Sequence, residues 1–184
     1  MKKVKSAIAL IMAVSMLFSM TACTSGVKEY DEDSFKKVLE DDLKIDEDDI
    51  IIAKSDSSNG SPDAMIITAV NGCARVIAYF CDDEDDAKDY FENEYEEFEN
   101  SFKTKSFKGN YSYLKTDSYG YIVLNGHDSG TTIFGDLHRT GPIYAGVYYK
   151  GSMLVYIMPE GIQKEGKADD DLSELIDAFG FPNV

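Results

Sequence analysis

The sequence predicts an α+β fold, an antiparallel sheet built from hairpins with helices packed on one face as a two-layer sandwich. Two observations carry that expectation. Runs of β-favouring residues arrive in groups joined by tight turns, which implies antiparallel pairing, and amphipathic helical stretches fall before, between and after those groups. A third sharpens it: Asn71-Gly72 sits between two β-rich runs, AMIITAV and CARVIAYF, the strongest short-range hairpin signal in the chain.

The first 22 residues stand apart from this domain. Lys2, Lys3 and Lys5 precede an apolar or small stretch from Ala7 to Met20, long enough for a signal-peptide core and too short to span a bilayer as a helix. Met20-Thr21-Ala22-Cys23 then resembles a bacterial lipobox, at which cleavage leaves a diacylglycerol-bearing cysteine as the new N-terminus. The expected layout is a lipoprotein signal peptide over 1–22, a lipidated tether over 23–32 starting at Cys23, and one α+β domain over 33–184. Two or three acyl chains anchor a protein durably where one does not, so the expected address is the outer face of the cell membrane.

From Ser34 onward, Phe35, Val38, Leu39 and Leu43 recur at helical spacing, with Asp31 or Asp33 as N-cap. Ile50 to Ala53 is a short β-type run, and SDSSNGSPD (55–63) is turn chemistry throughout. Pairing outward from an Asn71-Gly72 type I′ turn sets Ala69 opposite Ala74, Ile67 opposite Val76 and Met65 opposite Ala78. That apolar face is expected to meet helices. The other face, with Thr68, Arg75, Ile66, Ile77 and Tyr79, is expected to be more open.

Next, Ala87, Phe91, Tyr95, Phe98 and Phe102 mark the core stripe of a long helix whose other positions are mostly charged. Acids at its start complement the helix dipole. Residues 111–115 and 119–124 form a second pair of strands. Residues 143–149 and 152–158 form a third, turning at Lys150-Gly151, apolar on both sides and therefore central. Leu172, Leu175, Ile176 and Phe179 define a closing helix that Gly180 and Pro182 terminate. The second block loosely repeats the order of the first, as a tandem duplication would.

The elements DDEDDAKDYFE, GNYSY and LSELIDAFGFP resemble those of small, acidic, tyrosine-rich lipoproteins of anaerobic Firmicutes. The likeness covers most of the chain after the leader. Its motifs are structural, so it implies the fold and the envelope location and transfers no catalytic residue.

Charge narrows the partners. Without the leader the chain carries 15 Lys and Arg against 34 Asp and Glu, a net −19. Such a surface argues against nucleic acid and against lying flat on anionic lipid. With Cys23 taken by lipid, Cys73 and Cys81 fall on one strand too far apart to bridge, at roughly 26 Å.

Two places could carry chemistry. NGHDSGTTIFGDLHRTGP (125–142) reads as a long loop with a short strand at 131–134. It holds both histidines, and His127, His138, Asp128 and Asp136 are a weak candidate metal set, because imidazole and carboxylate are good zinc ligands. Their spacing matches no fixed metal motif, and no triad, nucleophile elbow or EF-hand frame is present. The tyrosines are the second clue. Alternation along the strands must leave several on any uncovered face, and Arg75, Tyr79, Tyr113, Tyr121 and Tyr148 make up the candidate binding surface. The leading expectation is a non-enzymatic, membrane-anchored binding or interaction module for an envelope protein or carbohydrate. The alternative is a small metal-assisted hydrolase of cell-wall or extracellular material, using the two histidines. No residue pattern assigns a cofactor.

Overall fold

The computed structural model describes residues 26–56, 62–104, 107–132, 138–160 and 167–184. Residues 1–25, which hold the expected signal peptide and Cys23, and Asp136 lie outside them. The elements are α1 (Glu32–Lys37), β1 (Ile51–Ser55), β2 (Ala64–Asn71), β3 (Ala74–Cys81), α2 (Glu84–Thr104), β4 (Phe107–Lys115), β5 (Tyr119–Thr132), β6 (His138–Lys150), β7 (Met153–Pro159) and α3 (Lys167–Ala178).

Asp31 caps α1 by accepting from the Ser34 amide at 2.7 Å, and the Ser34 hydroxyl accepts from the Asp31 amide at 3.1 Å, a reciprocal box. The helix widens into a π turn over Val38–Asp42, so its apolar run continues to Leu43. At the other end of the chain, Gly180 (φ 64°) stops α3. Its amide donates to the Asp177 carbonyl and the Phe181 amide to the Ile176 carbonyl, the paired bonds of a glycine-terminated helix.

All pairings in the seven-stranded sheet are antiparallel, in the order β1-β2-β3-β7-β6-β5-β4. β7 is the central strand, which explains why 152–158 is apolar on both faces. The β2–β3 turn falls one position later than its Asn-Gly signal. Asn71 pairs with Ala74, Ala69 with Val76 and Ile67 with Ala78. Gly72 has φ 60° and Cys73 does not have positive φ, which fits glycine at the first central position of a II′ turn. Neighbouring elements select this register. The Asp171 carboxylate on α3 accepts from the Cys73 amide at 2.7 Å, and the Glu160 amide donates to the Cys73 carbonyl at 2.8 Å. A β carbon at Gly72 would come within 2.4 Å of that carboxylate. Moving a turn by one position shifts partners by two, so every side chain keeps its expected face.

The helices do not share one face. Ile67, Ala69, Val76, Ala78, Met153, Val155, Ile157, Val123 and Tyr148 pack with α1 and α3, whereas Leu154, Val147, Tyr149, Ile122 and Leu124 pack with Ala87, Phe91 and Phe98 of α2. The chain is α+β, with an antiparallel sheet between helices on its two sides. The expected two-layer packing fails because α2 must carry the chain from β3 to β4 at the far edge, and it passes over the face of β7, β6 and β5. The same placement removes the duplication reading. A twofold axis exchanging the adjacent antiparallel strands β3 and β7 stands perpendicular to the sheet and would keep α2 and α3 on one face.

Folded structure begins before residue 33, within the stretch expected as tether. Val27 and Tyr30 are core residues: Tyr30 donates from its hydroxyl to the Phe179 carbonyl at 2.7 Å and meets Phe35, Phe179 and Phe181 edge-on.

Candidate binding surface

Four tyrosines and an arginine test the expectation of one open aromatic face. Tyr148 is buried, its ring stacked on Phe181 at 4.4 Å and its hydroxyl donating to the Pro182 carbonyl at 3.0 Å. Tyr121 lies on the same face and is half-buried beside the α1–α3 core. Both belong to a covered side of the sheet, which corrects their place in a surface. They stand opposite each other in the β5–β6 register, and the packing of the C-terminal segment closes their face.

Arg75, Tyr79 and Tyr113 point to the α2 side. Arg75 is engaged by Glu160, with Nη2 donating to Oε1 at 2.7 Å and Nε 2.5 Å from Oε2. Tyr79 meets Tyr156 edge-on at 6.0 Å, and burial raises its pKa. Tyr156 donates to Glu94 Oε1 at 3.1 Å, and burial first, then the Glu94 charge, pushes its hydroxyl far above the usual range. It is a structural hydrogen-bond donor.

Tyr113 is different. With Tyr111 it stands on the edge strand β4, 45% and 47% exposed, and the two rings stack at 6.0 Å and 25°. Buried Phe98 braces both edge-on, 5.3 Å from Tyr113 and 6.3 Å from Tyr111, and Tyr95 closes on Tyr113 at 5.8 Å. Lys115 completes the margin, 3.4 Å from Glu92 and over the Tyr95 ring at 5.3 Å. The core residue Phe98 therefore fixes two half-exposed rings in one orientation, a rigid apolar platform with polar tips. Sequence reading included Tyr113 and passed over Tyr111, although their i, i+2 spacing already places them on one face.

The 125–142 stretch is a paired ribbon for most of its length, rather than a loop. β5 runs to Thr132 and β6 starts at His138, with His127 opposite Pro142, Asp128 opposite Gly141 and a register shift before Thr132–His138. Since His138 pairs with Thr132, it lies five residues along the ribbon from His127, on the order of 16 Å. Imidazoles on one zinc ion bring their nitrogens within about 4 Å of each other, so the ribbon separates the two histidines. Among the described residues no group of three or more His, Cys, Asp or Glu side chains is arranged to hold a metal ion.

A cleft of about 600 Å³ opens between the N-terminal segment with α1 and the end of β3, lined by Glu29, Asp31, Glu32, Asp82, Ser152 and Cys81, among others. Of its carboxylates, Asp31 is committed to the α1 cap, which lowers its pKa. Burial, then Asp86 and Asp82, pushes the Cys81 thiol up to about 11, so it is a poor nucleophile at neutral pH. The cleft arises because the stretch expected to be free tether folds back over β3. No helix among the described residues is long and apolar enough to cross a membrane.

Comparison with protein-family models, curated proteins and solved structures finds no match to this chain.

Proposed function

We propose that this protein is a lipid-anchored extracytoplasmic binding module, held at the outer face of the cell membrane through Cys23 and contacting an envelope protein or carbohydrate through the Tyr111–Tyr113 platform. The observation that carries the contact surface is the stacked, half-exposed pair braced by Phe98, since large rings held rigid at a surface lose little entropy on binding. The address rests on the order of lysines, apolar stretch and Met-Thr-Ala-Cys, and on the resemblance to acidic, tyrosine-rich lipoproteins. The ribbon register, which separates His127 from His138, takes support from the hydrolase alternative.

The contact surface is tested by co-sedimentation of residues 24–184, which carry no lipid anchor, with isolated cell envelopes. A Tyr111→Ser/Tyr113→Ser variant should bind about tenfold more weakly, as for loss of two aromatic anchors. Equal retention of both proteins would reject the surface. For the anchor, mass spectrometry of the N-terminal peptide should find diacylglycerol on Cys23, and Cys23→Ala should abolish it. An unmodified Cys23 would reject the lipoprotein reading.

A further inference from the structure

Very little chain separates the proposed lipid from the folded core. Val27 is buried, and Gly26 lies so close to the Tyr119 ring that a β carbon there would meet it at 3.1 Å. Three peptide steps join Cys23 to Gly26, at most about 11 Å when fully extended. The N-terminal segment also meets the sheet at one defined end. Tyr119 opens β5 beside the 116–118 turn, where the Thr116 hydroxyl donates to the Tyr119 carbonyl at 2.7 Å. Glu29 lies against Gly151 in the β6–β7 turn, and the Cys81 amide at the end of β3 donates to the Ser152 carbonyl at 2.9 Å. The strand registers put Lys115, Tyr119, Lys150, Met153, Cys81 and Ala64 together at that end.

We infer that the anchored protein stands on the bilayer on its 116–118 and 151–152 turns, with the β5–β6 ribbon directed away from the lipid. This rests on the lipid-anchor reading proposed above. The opposite end holds the Gly72-Cys73 turn, Pro159 and the start of α3, and among the described residues only the ribbon continues past it. β4 stops at Phe107 opposite Asp128, and β7 pairs with β6 no further than Gly146, so the Ser129–Thr140 and Thr132–His138 pairs extend beyond their neighbours. β5 is 14 residues long, which puts Thr132 roughly 43 Å from Tyr119.

The short tether, and not charge, sets this orientation. The lipid-facing end carries Glu29, Asp31, Asp82 and Asp117 against Lys115 and Lys150, and the exposed side of α2 adds Glu96, Glu97 and Glu99. An anionic leaflet repels these side chains within a Debye length of about 8 Å. The bilayer headgroups are the partner of the turn end because the chain from Cys23 to Gly26 spans at most about 11 Å, and the contact is held against this repulsion. The ribbon is the part of the described fold that reaches furthest toward a partner in the wall.

Fluorescence quenching on vesicles tests the orientation. The lipidated mature protein is placed on phosphatidylcholine vesicles containing headgroup-spin-labelled lipid. A fluorophore is attached at Asp117→Cys or at Asp170→Cys, both exposed, in a Cys73→Ser background. Quenching at position 117 should exceed that at 170 by about threefold or more, given the length of the sheet. Equal quenching, or stronger quenching at 170, would overturn the proposal. Inserting roughly twenty Gly and Ser residues between Ser25 and Gly26 should erase the difference, and its persistence would overturn the tether as cause. The same pair is measured on a chain beginning at Cys23 and ligated through that cysteine to a synthetic diacylglycerol. Orientation is then read even where Cys23 is unmodified in the cell, a result that rejects the anchor reading alone.

Discussion

On one face of the sheet two helices and both ends of the folded chain close over the strands, whereas on the other a single helix crosses from β3 to β4. The closed face is knit from distant parts of the sequence: Phe35 stacks on Phe179 at 4.3 Å and meets Phe80 edge-on at 5.6 Å, and Tyr148 stacks on Phe181. Away from α2 the second face is open. Ile51 is 64% exposed on β1 and Val70 39% exposed on β2, and the Tyr111–Tyr113 pair protrudes at the opposite edge. Similar residues therefore do different work. Aromatic rings on the closed face hold the termini, and those at the β4 edge remain available for contact.

The sharpest way to break this contrast is Phe35→Ala, which removes a ring packed against Phe179, Phe80 and Tyr30 at once. A loss of about 3–5 kcal/mol is expected from urea unfolding; less than about 1 kcal/mol would mean that the face is not anchored there. Gly72→Ala comes next. Positive φ and the approach to Asp171 should together cost about 1–3 kcal/mol. In an Asp171→Ala background the penalty of the same change should shrink, and strict additivity would show that the clash is relieved elsewhere. Tyr148→Phe keeps the ring but leaves the Pro182 carbonyl without its donor, at a cost of about 1–2 kcal/mol. By contrast, Tyr111→Ser/Tyr113→Ser should change stability by only about 0.5 kcal/mol per site while weakening envelope binding. A large stability loss there would make the pair a core feature.

The smallest effect is chemical. Cys81 should react with iodoacetamide slowly at pH 8, with alkylation accelerating as pH approaches about 11. Its folded-state pKa lies above the ordinary 9.0, so the buried neutral thiol favours folding below that value, and the advantage fades as pH rises from about 9 to about 11. Rapid modification at pH 8 would show that the cleft admits solvent to the sulfur.

Much of the fold was legible because it depends on local rules. Asp31 or Asp33 before Phe35 predicted the start of α1, the Ala87–Phe98 stripe predicted the buried side of α2, and Gly180 predicted its own role as a stop. Strand parity assigned Ile67, Ala69, Val76 and Ala78 to the helix-covered face despite the displaced turn. The candidate surface was less legible. Tyr113 and Tyr148 both sit on strands with alternating neighbours, and nothing local tells an edge position from one beneath a C-terminal segment. The ribbon was hidden by composition, since glycine, serine and histidine read as loop when no partner strand is known.

Taken alone, the sequence determined periodicity, helix stops and the order of elements, because each follows from the conformational preferences of a few neighbouring residues. Tertiary structure decided three further features: that α2 crosses the sheet opposite α1 and α3, that the β2–β3 turn sits on Gly72-Cys73, and that Val27 and Tyr30 belong to the core. Each is set by contact between residues distant in sequence, such as Asp171 with Cys73 or Tyr30 with Phe179, whose energy appears only once the chain has closed on itself.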